Sequence, residues 1–220
     1  MRAGAIAASA KGKDATMSAP VIYLASKSPR REELLRQLGV EFTAIRVREA
    51  PGRERDIDES ARDAEPPLHY VERIARTKAA IGWQRMLQRS LAPHPVLGAD
   101  TEVVLDGVIF GKPKDAADAT RMLAKLSRRT HQVLTAVALC WDQQIVAEIS
   151  TSSVTFRELP ADEIERYVAT GEPLDTAGAY AVQGRAASFV SRIEGSYSGV
   201  MGLPLYETAQ ALAGLGFPVL

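Results

Sequence analysis

The chain has 220 residues, and its 27 Lys and Arg balance 27 Asp and Glu to a formal net charge of zero. That balance excludes binding of nucleic acid or anionic lipid by bulk charge, and 46% hydrophobic with 25% charged residues is the composition of a globular chain long enough to bury a sizeable core. The single cysteine, Cys140, excludes an intramolecular disulfide and a cysteine-built zinc site, and fits a reducing compartment.

In chain order, Arg2 precedes a run from Ala3 to Ala10 in which Ile6 is the one strongly apolar residue, and Lys11, Lys13 and Asp14 follow. This is no signal peptide; residues 1–19 read as a disordered extension, and residues 20–220 as the folded domain. Val21 to Ala25 predicts a buried strand, followed by a helix with Ser28 as cap, Pro29 at its first position and Gly39 as its stop. Phe42 to Val47 predicts a second strand, Arg48 to Pro66 an irregular charged segment, and His69 to Leu87 a helix with Val71, Ile74, Ala75, Met86 and Leu87 on one broad face.

Val96 to Leu105, the dipeptide Asp106-Gly107 and Val108 to Phe110 predict a hairpin. Ala116 to Leu126 reads as an amphipathic helix, and Gln132 to Trp141 with Ile145 to Phe156 as a second hairpin about Asp142-Gln143. Ala161 to Ala169 is helical and closes at Gly171. The Gly-rich stretch from Leu174 to Pro204 reads as strand and loop, and Leu205 to Leu212 as the last helix. The pattern is α/β with a mixed sheet, because both hairpins are antiparallel. No run approaches the roughly 18 apolar residues of a membrane helix, so the expectation is a cytoplasmic protein without a membrane partner.

The common catalytic signatures are missing. His69, His94 and His131 form no HExxH arrangement, there is no GxSxG elbow, and Pro113 stands where a phosphate-binding P-loop needs a hydroxyl. Cys140 lies between Leu139 and Trp141 in an apolar strand and reads as a buried small hydrophobe. What remains is chemistry by carboxylates, cations and a metal.

Three segments carry that chemistry. Ser26-Lys27-Ser28-Pro29-Arg30-Arg31 lies between a buried strand and a helix start, where hydroxyls, guanidiniums and first-turn N–H groups suit a phosphate; the bland reading is a capping serine beside solvated arginines. Gly98-Ala99-Asp100-Thr101 puts a carboxylate into an apolar strand, and Gly111-Lys112-Pro113 follows across the hairpin. A two-residue turn pairs Thr101 with Lys112 and Asp100 with Pro113, whereas a bulge or a longer turn sets Asp100 beside Lys112; the bland reading is a structural ion pair. Finally, Asp175 to Gly184 and Ser196 to Pro204 combine dense glycines with small polar residues, and Gln183 offers an amide able to read the edge of a base; the bland reading is turn chemistry with a surface glutamine.

Ser26-x-Ser28-Pro29-Arg30-Arg31, Gly98-Ala99-Asp100-Thr101, Gly111-Lys112-Pro113, Ala177-Gly178-Ala179-Tyr180 with Gln183-Gly184, and Gly202-Leu203-Pro204 together resemble the Maf, or septum-formation, family of house-cleaning nucleoside triphosphate pyrophosphatases. The resemblance runs from about Val21 to Leu212. It implies a mixed twisted sheet with flanking helices, two lobes around a nucleotide cleft as in inosine triphosphate pyrophosphatases, a divalent cation (Mg²⁺ or Mn²⁺), and a homodimer.

Tyr180 to Gly184 resembles the branch acting on dTTP and UTP. Position by position, the resemblance implies Asp100 as general base and metal ligand, Lys78 and Lys112 as catalytic cations, Ser28 and Arg31 on the substrate, and Arg30, Thr101 and Gln183 at base choice. Its acidic metal-ligand position after the second strand falls on Glu49, in a segment shifted and longer here, and Thr176 stands where a lysine is common. The family name also suggests an alternative, a non-catalytic nucleotide-responsive regulator of cell division. A nucleic-acid-binding module is disfavoured by the zero net charge.

Overall fold

The computed structural model describes residues 21–46 and 57–219, so the expected extension 1–19, the end of the second predicted strand and Glu49 lie outside the described residues. Strands β1 (Val21–Leu24), β2 (Glu41–Ala44), β3 (Val96–Leu105), β4 (Val108–Phe110), β5 (Thr130–Trp141), β6 (Gln144–Phe156) and β7 (Val190–Glu194) alternate with helices α1 (Pro29–Gln37), α2 (Pro67–Gln88), α3 (Ala116–Leu126), α4 (Ala161–Val168), α5 (Tyr197–Met201) and α6 (Leu205–Gly214). One seven-stranded sheet has the order β2-β1-β3-β5-β6-β7, with β4 on β3 beyond the reach of β1. The β2, β1 and β3 strands run parallel, and the remaining pairs are antiparallel, so the sheet is mixed as expected.

Asp106 and Gly107 both take positive φ, 52° and 78°, which sets the two-residue turn and the pairing of Val103 with Phe110. That register settles the open alternative: no bulge places Asp100 opposite Lys112. The Gly-rich stretch holds more helix than its glycines suggest, in three one-turn helical segments and in α5. The start of α5 is fixed by Ser196, whose hydroxyl accepts from the Gly199 N–H at 3.0 Å.

Side chains along β3 alternate between two covered faces. Leu97 and Ala99 join Ile22, Leu24, Leu34, Leu35, Leu203 and Leu212 under α1 and α6. Val104 meets Val71, Ile74 and Ala75 of α2 together with Leu134 and Ala136 of β5. Farther along the long strands a second lobe is built from α3, α4 and the helical turns, around Val103, Phe110, Leu123, Phe156, Tyr167, Tyr180 and Phe189. The three long strands β3, β5 and β6 thus run through both lobes.

The site comes from a gap in this sheet. β1 pairs with β3 only as far as Leu24 with Leu97, and the pairing of β4 with β3 begins only at Val103 of β3, opposite Phe110. Between them the edge of β3 is uncovered on that side, where β1 ends and the chain turns into α1. An opening at the carboxyl end of a parallel strand, facing a helix start, is where ligands enter such sheets.

Candidate active site

A cleft of about 510 Å³ fills this gap. Ser26 to Arg31, Lys78, Asp100, Thr101, Lys112 and Gln183 all line it, so every sequence-predicted site residue among the described ones reaches a single opening.

Asp100 is 7% exposed despite being a carboxylate. Its Oδ1 accepts from the Lys78 ammonium at 2.8 Å, and Lys78 also pairs with Glu59 at 2.9 Å. The close approach that allows this is set by Gly98, one turn of pleat before Asp100: a Cβ there would lie 2.5 Å from the Ala75 carbonyl oxygen and the Ala79 nitrogen of α2. The helix backbone therefore rests directly on the strand and delivers Lys78 to the carboxylate. Burial works against the ammonium, but Asp100 and Glu59 outweigh it and raise the Lys78 pKa, so Lys78 keeps its charge.

The second carboxylate of the strand is Glu102, two residues on and hence on the same face as Asp100. Burial foremost, then the charges of Asp100 and Glu59, push its pKa up to about 8, with Lys78 and Arg31 opposing. Among the described residues, Asp100 Oδ2 and Glu102 Oε2 are buried and have no hydrogen-bond partner. Two orphaned, hard oxygen donors at one cleft suit a divalent cation of the Mg²⁺ type. No three described His, Cys, Asp or Glu residues are disposed to surround an ion on their own, so the donor set is one that phosphate oxygens would complete.

The raised Glu102 pKa has a stability consequence whose sign is fixed. Below the ordinary glutamate value near 4.5 both folded and unfolded chains hold the proton; between there and about 8 only the folded chain does, and stability falls as pH rises. In metal-free buffer, Glu102→Gln should therefore melt higher than the wild type at pH 8, with the difference closing toward pH 4.5. Thermal melts of the two proteins across that range check it, and parallel curves would contradict it.

Arg31 acts from the opposite side of the sheet. Its Nε donates to the Gly202 carbonyl at 2.8 Å, Nη1 to the Ser26 hydroxyl at 3.3 Å and Nη2 to the Thr101 hydroxyl at 3.2 Å. The guanidinium thus ties the β1–α1 turn, β3 and the α5–α6 connection together. Burial pulls its pKa below the usual value, with Asp100 opposing. Thr135 braces the same node, its hydroxyl 2.8 Å from the Gly199 carbonyl and 3.0 Å from the Thr101 hydroxyl. Thr101 and Arg31 are therefore held by protein groups as well as facing the cleft.

The other predicted residues sit at the mouth. Ser28 stands at the N-cap of α1 without a capping bond from its hydroxyl; its carbonyl accepts from the Arg31 and Glu32 N–H groups, and its own N–H donates to the Ser26 hydroxyl at 3.1 Å. Lys112 pairs not with Asp100 but with the exposed Asp175, at 2.5 Å, and Arg30 Nη2 lies 3.5 Å from the Asp175 carbonyl oxygen. Gln183 is exposed at the rim, next to Ala181 and Val182. Tyr180 packs inward, its hydroxyl 2.8 Å from Nε2 of the buried His131, which gives the motif tyrosine a wall-building role.

Two site residues escaped the sequence reading. Glu59 belongs to the acidic run Asp56-Ile57-Asp58-Glu59, a visible signal lost in a segment read as irregular. Its anchor is Tyr70 of α2, whose hydroxyl donates to the Glu59 carbonyl at 2.9 Å. Glu102 had a signal too, since it keeps the two-residue period from Asp100 inside an otherwise apolar strand.

The family model described as Maf-like protein matches residues 21–215. A dTTP/UTP pyrophosphatase from Aromatoleum aromaticum is 56% identical over 199 residues, covering 90% of this chain and 97% of that protein. One from Nitrosospira multiformis is 56% identical over 191 residues, covering 87% and 92%. Among solved structures, the Staphylococcus aureus Ham1 protein matches 62% of this chain and 71% of its own at 15% identity with a TM-score of 0.39, too distant to bear on the site.

Proposed function

The chain belongs to the Maf-like protein family, and on that premise we propose that it hydrolyses pyrimidine nucleoside triphosphates, dTTP and UTP, to the monophosphate and pyrophosphate. The observation carrying this reading is Asp100, buried with Oδ1 held by Lys78 and Oδ2 unpartnered, in the cleft that the Ser26–Arg31 turn borders. The relatives named as dTTP/UTP pyrophosphatases favour the same substrates.

The residues divide the work by type. The α1 start with Ser28, Arg30 and Arg31, and Lys112 across the mouth, face the negative charge of a triphosphate. Lys78 fixes the carboxylate plane of Asp100 through Oδ1, which leaves Oδ2 to hold a water and accept its proton as the water attacks the α-phosphorus. The bond from that phosphorus to the bridging oxygen breaks, and pyrophosphate leaves. A divalent cation, when held by the carboxylates at Asp100, supplies charge neutralisation of phosphate oxygens. Glu49 lies outside the described residues, and Glu59 and Glu102 are the acidic neighbours that Asp100 has among them.

A purely binding regulator has no use for a buried base fixed by a lysine. We extend the reading to a cytoplasmic homodimer on the family resemblance; among the described residues no helix is long and apolar enough to cross a membrane. Incubation with a panel of nucleoside triphosphates and Mg²⁺, with pyrophosphate quantified, tests the activity. UTP and dTTP should lead, and a panel without pyrophosphate release would overturn it.

Gln183 carries the expectation on base choice. Uracil and thymine present carbonyl, N3–H and carbonyl along one edge, and an amide pairs with two neighbours of that edge. Gln183→Ala should lower kcat/KM for UTP by about tenfold or more while changing the weak GTP activity little, since sites that pair polar edges discriminate by up to roughly 10⁴-fold. Equal losses on UTP and GTP would assign Gln183 to the loop or the phosphates.

A further inference from the structure

Gln183 stands at the rim of the second lobe on a turn that is fastened from outside the cleft. The Gly184 N–H donates to the Ala181 carbonyl at 2.9 Å, so Val182 and Gln183 are the central residues of a β-turn. Just beyond it, the Arg185 N–H donates to Oε2 of Glu172 at 3.2 Å, and Oε1 of the same carboxylate accepts from the Tyr167 hydroxyl at 3.0 Å. Burial foremost, then the Glu172 charge, holds the Tyr167 phenol above its usual pKa range, which keeps it a donor, while the Ala181 N–H opposes at the same hydroxyl. One phenol–carboxylate pair thus reaches the chain on both sides of Gln183.

Gly184 shows how close this approach is. A Cβ there would lie 2.2 Å from Oε1 of Glu172, at a φ of −100° that any residue adopts, so the glycine makes room for the carboxylate rather than for a special backbone shape. Glu172 is itself rooted in the end of α4: its N–H donates to the Thr170 hydroxyl at 3.2 Å, which donates in turn to the Tyr167 carbonyl at 2.6 Å. Tyr167 is 5% exposed and packs edge-on against Phe189, with ring centres 5.0 Å apart. Neither Tyr167 nor Glu172 is among the described residues that line the cleft.

The geometry points to Glu172, backed by Tyr167, as the positioning pair that fixes the Gln183 turn and through it the choice of base. This deepens the pyrimidine reading and rests on it for the role of Gln183. An exposed amide on a loose turn must be ordered each time a base binds, and that cost falls on the affinity; a turn already fixed at both ends avoids it.

The test is steady-state kcat and KM on UTP and GTP. Glu172→Ala removes the acceptor from both donors, and since a hydrogen bond contributes roughly 2- to 10-fold to an equilibrium, kcat/KM for UTP should fall about three- to tenfold, mainly through KM, with GTP changed less than about twofold. Glu172→Gln should stay within about twofold of wild type, because its amide oxygen can accept from Arg185 while its NH₂ donates to the Tyr167 hydroxyl. Gly184→Ala reaches the same contact from the other side, pushing the carboxylate away, and should reproduce Glu172→Ala. Adding Glu172→Ala to Gln183→Ala should cost no more than about a further twofold, whereas independent damage would multiply. Thermal melts should show all these variants folded, since Glu172 and Gly184 lie at the edge of the lobe.

An unchanged UTP preference in both Glu172→Ala and Gly184→Ala, equal losses on UTP and GTP, or losses that multiply with those of Gln183→Ala would each overturn the assignment; a preference still lost in Gln183→Ala would then keep the pyrimidine reading intact. A wild type that releases no pyrophosphate yet binds UMP more tightly than GMP by calorimetry, with that preference lost in Glu172→Ala, would overturn the activity and leave the assignment standing.

Discussion

Asp100→Asn should retain the fold and lower kcat for UTP by at least about 10²-fold, within the roughly 10² to 10⁴ that general acid–base groups contribute. The asparagine oxygen can still accept from Lys78, so the 2.8 Å contact that orients the side chain survives. What changes is the other atom, the buried and unpartnered Oδ2, which becomes an amide nitrogen that donates and cannot take a proton from water. The loss should therefore appear in kcat far more than in KM. A variant with unchanged kcat and intact metal dependence would reduce Asp100 to a structural ion-pair member.

Removing the other half of the pair should have a different signature. Lys78 is 13% exposed at its side chain, and Lys78→Met leaves Asp100 and Glu59 facing each other without the ammonium between them. Breaking a buried pair from one side typically costs about 3–5 kcal/mol, which in a domain of this size corresponds to a Tm lower by roughly 10 °C or more. Activity should fall together with stability, because the carboxylate loses the contact that aims it. Adding Asp100→Asn to Lys78→Met should restore part of the lost stability, since the uncompensated charge disappears, without restoring activity. A Lys78→Met protein as stable as the wild type would show that the pair contributes nothing to the fold.

These two residues also mark what could be read in the chain and what could not. Asp100 is legible, as a carboxylate in an apolar strand beside two glycine-bearing motifs. Lys78 is one cation among many on a long helix, and only the missing side chain at Gly98, which lets the α2 backbone settle onto β3, explains why it reaches the carboxylate.

The elements followed from local signals: Pro29 and Gly39 bound α1, Asp106-Gly107 sets the first hairpin, and two long β-rich runs about Asp142-Gln143 form β5 and β6. The cleft did not, because it is a gap between the end of β1 and the start of β4 along a third strand, and such a gap exists only once strand order is known. Lys112 shows the limit of motif reading: its place at the mouth is as expected, but the two-residue turn sends its ammonium to Asp175 rather than to Asp100. Arg31 shows the converse, a residue expected on phosphate whose guanidinium also joins three segments of the backbone.

The central claim is that water, held at Asp100, attacks the α-phosphorus of a pyrimidine nucleoside triphosphate. Turnover of UTP in ¹⁸O-labelled water, with both products weighed by mass spectrometry, tests it directly. The predicted result is one ¹⁸O in UMP and none in pyrophosphate; label in pyrophosphate, or orthophosphate and UDP as the primary products, would contradict it.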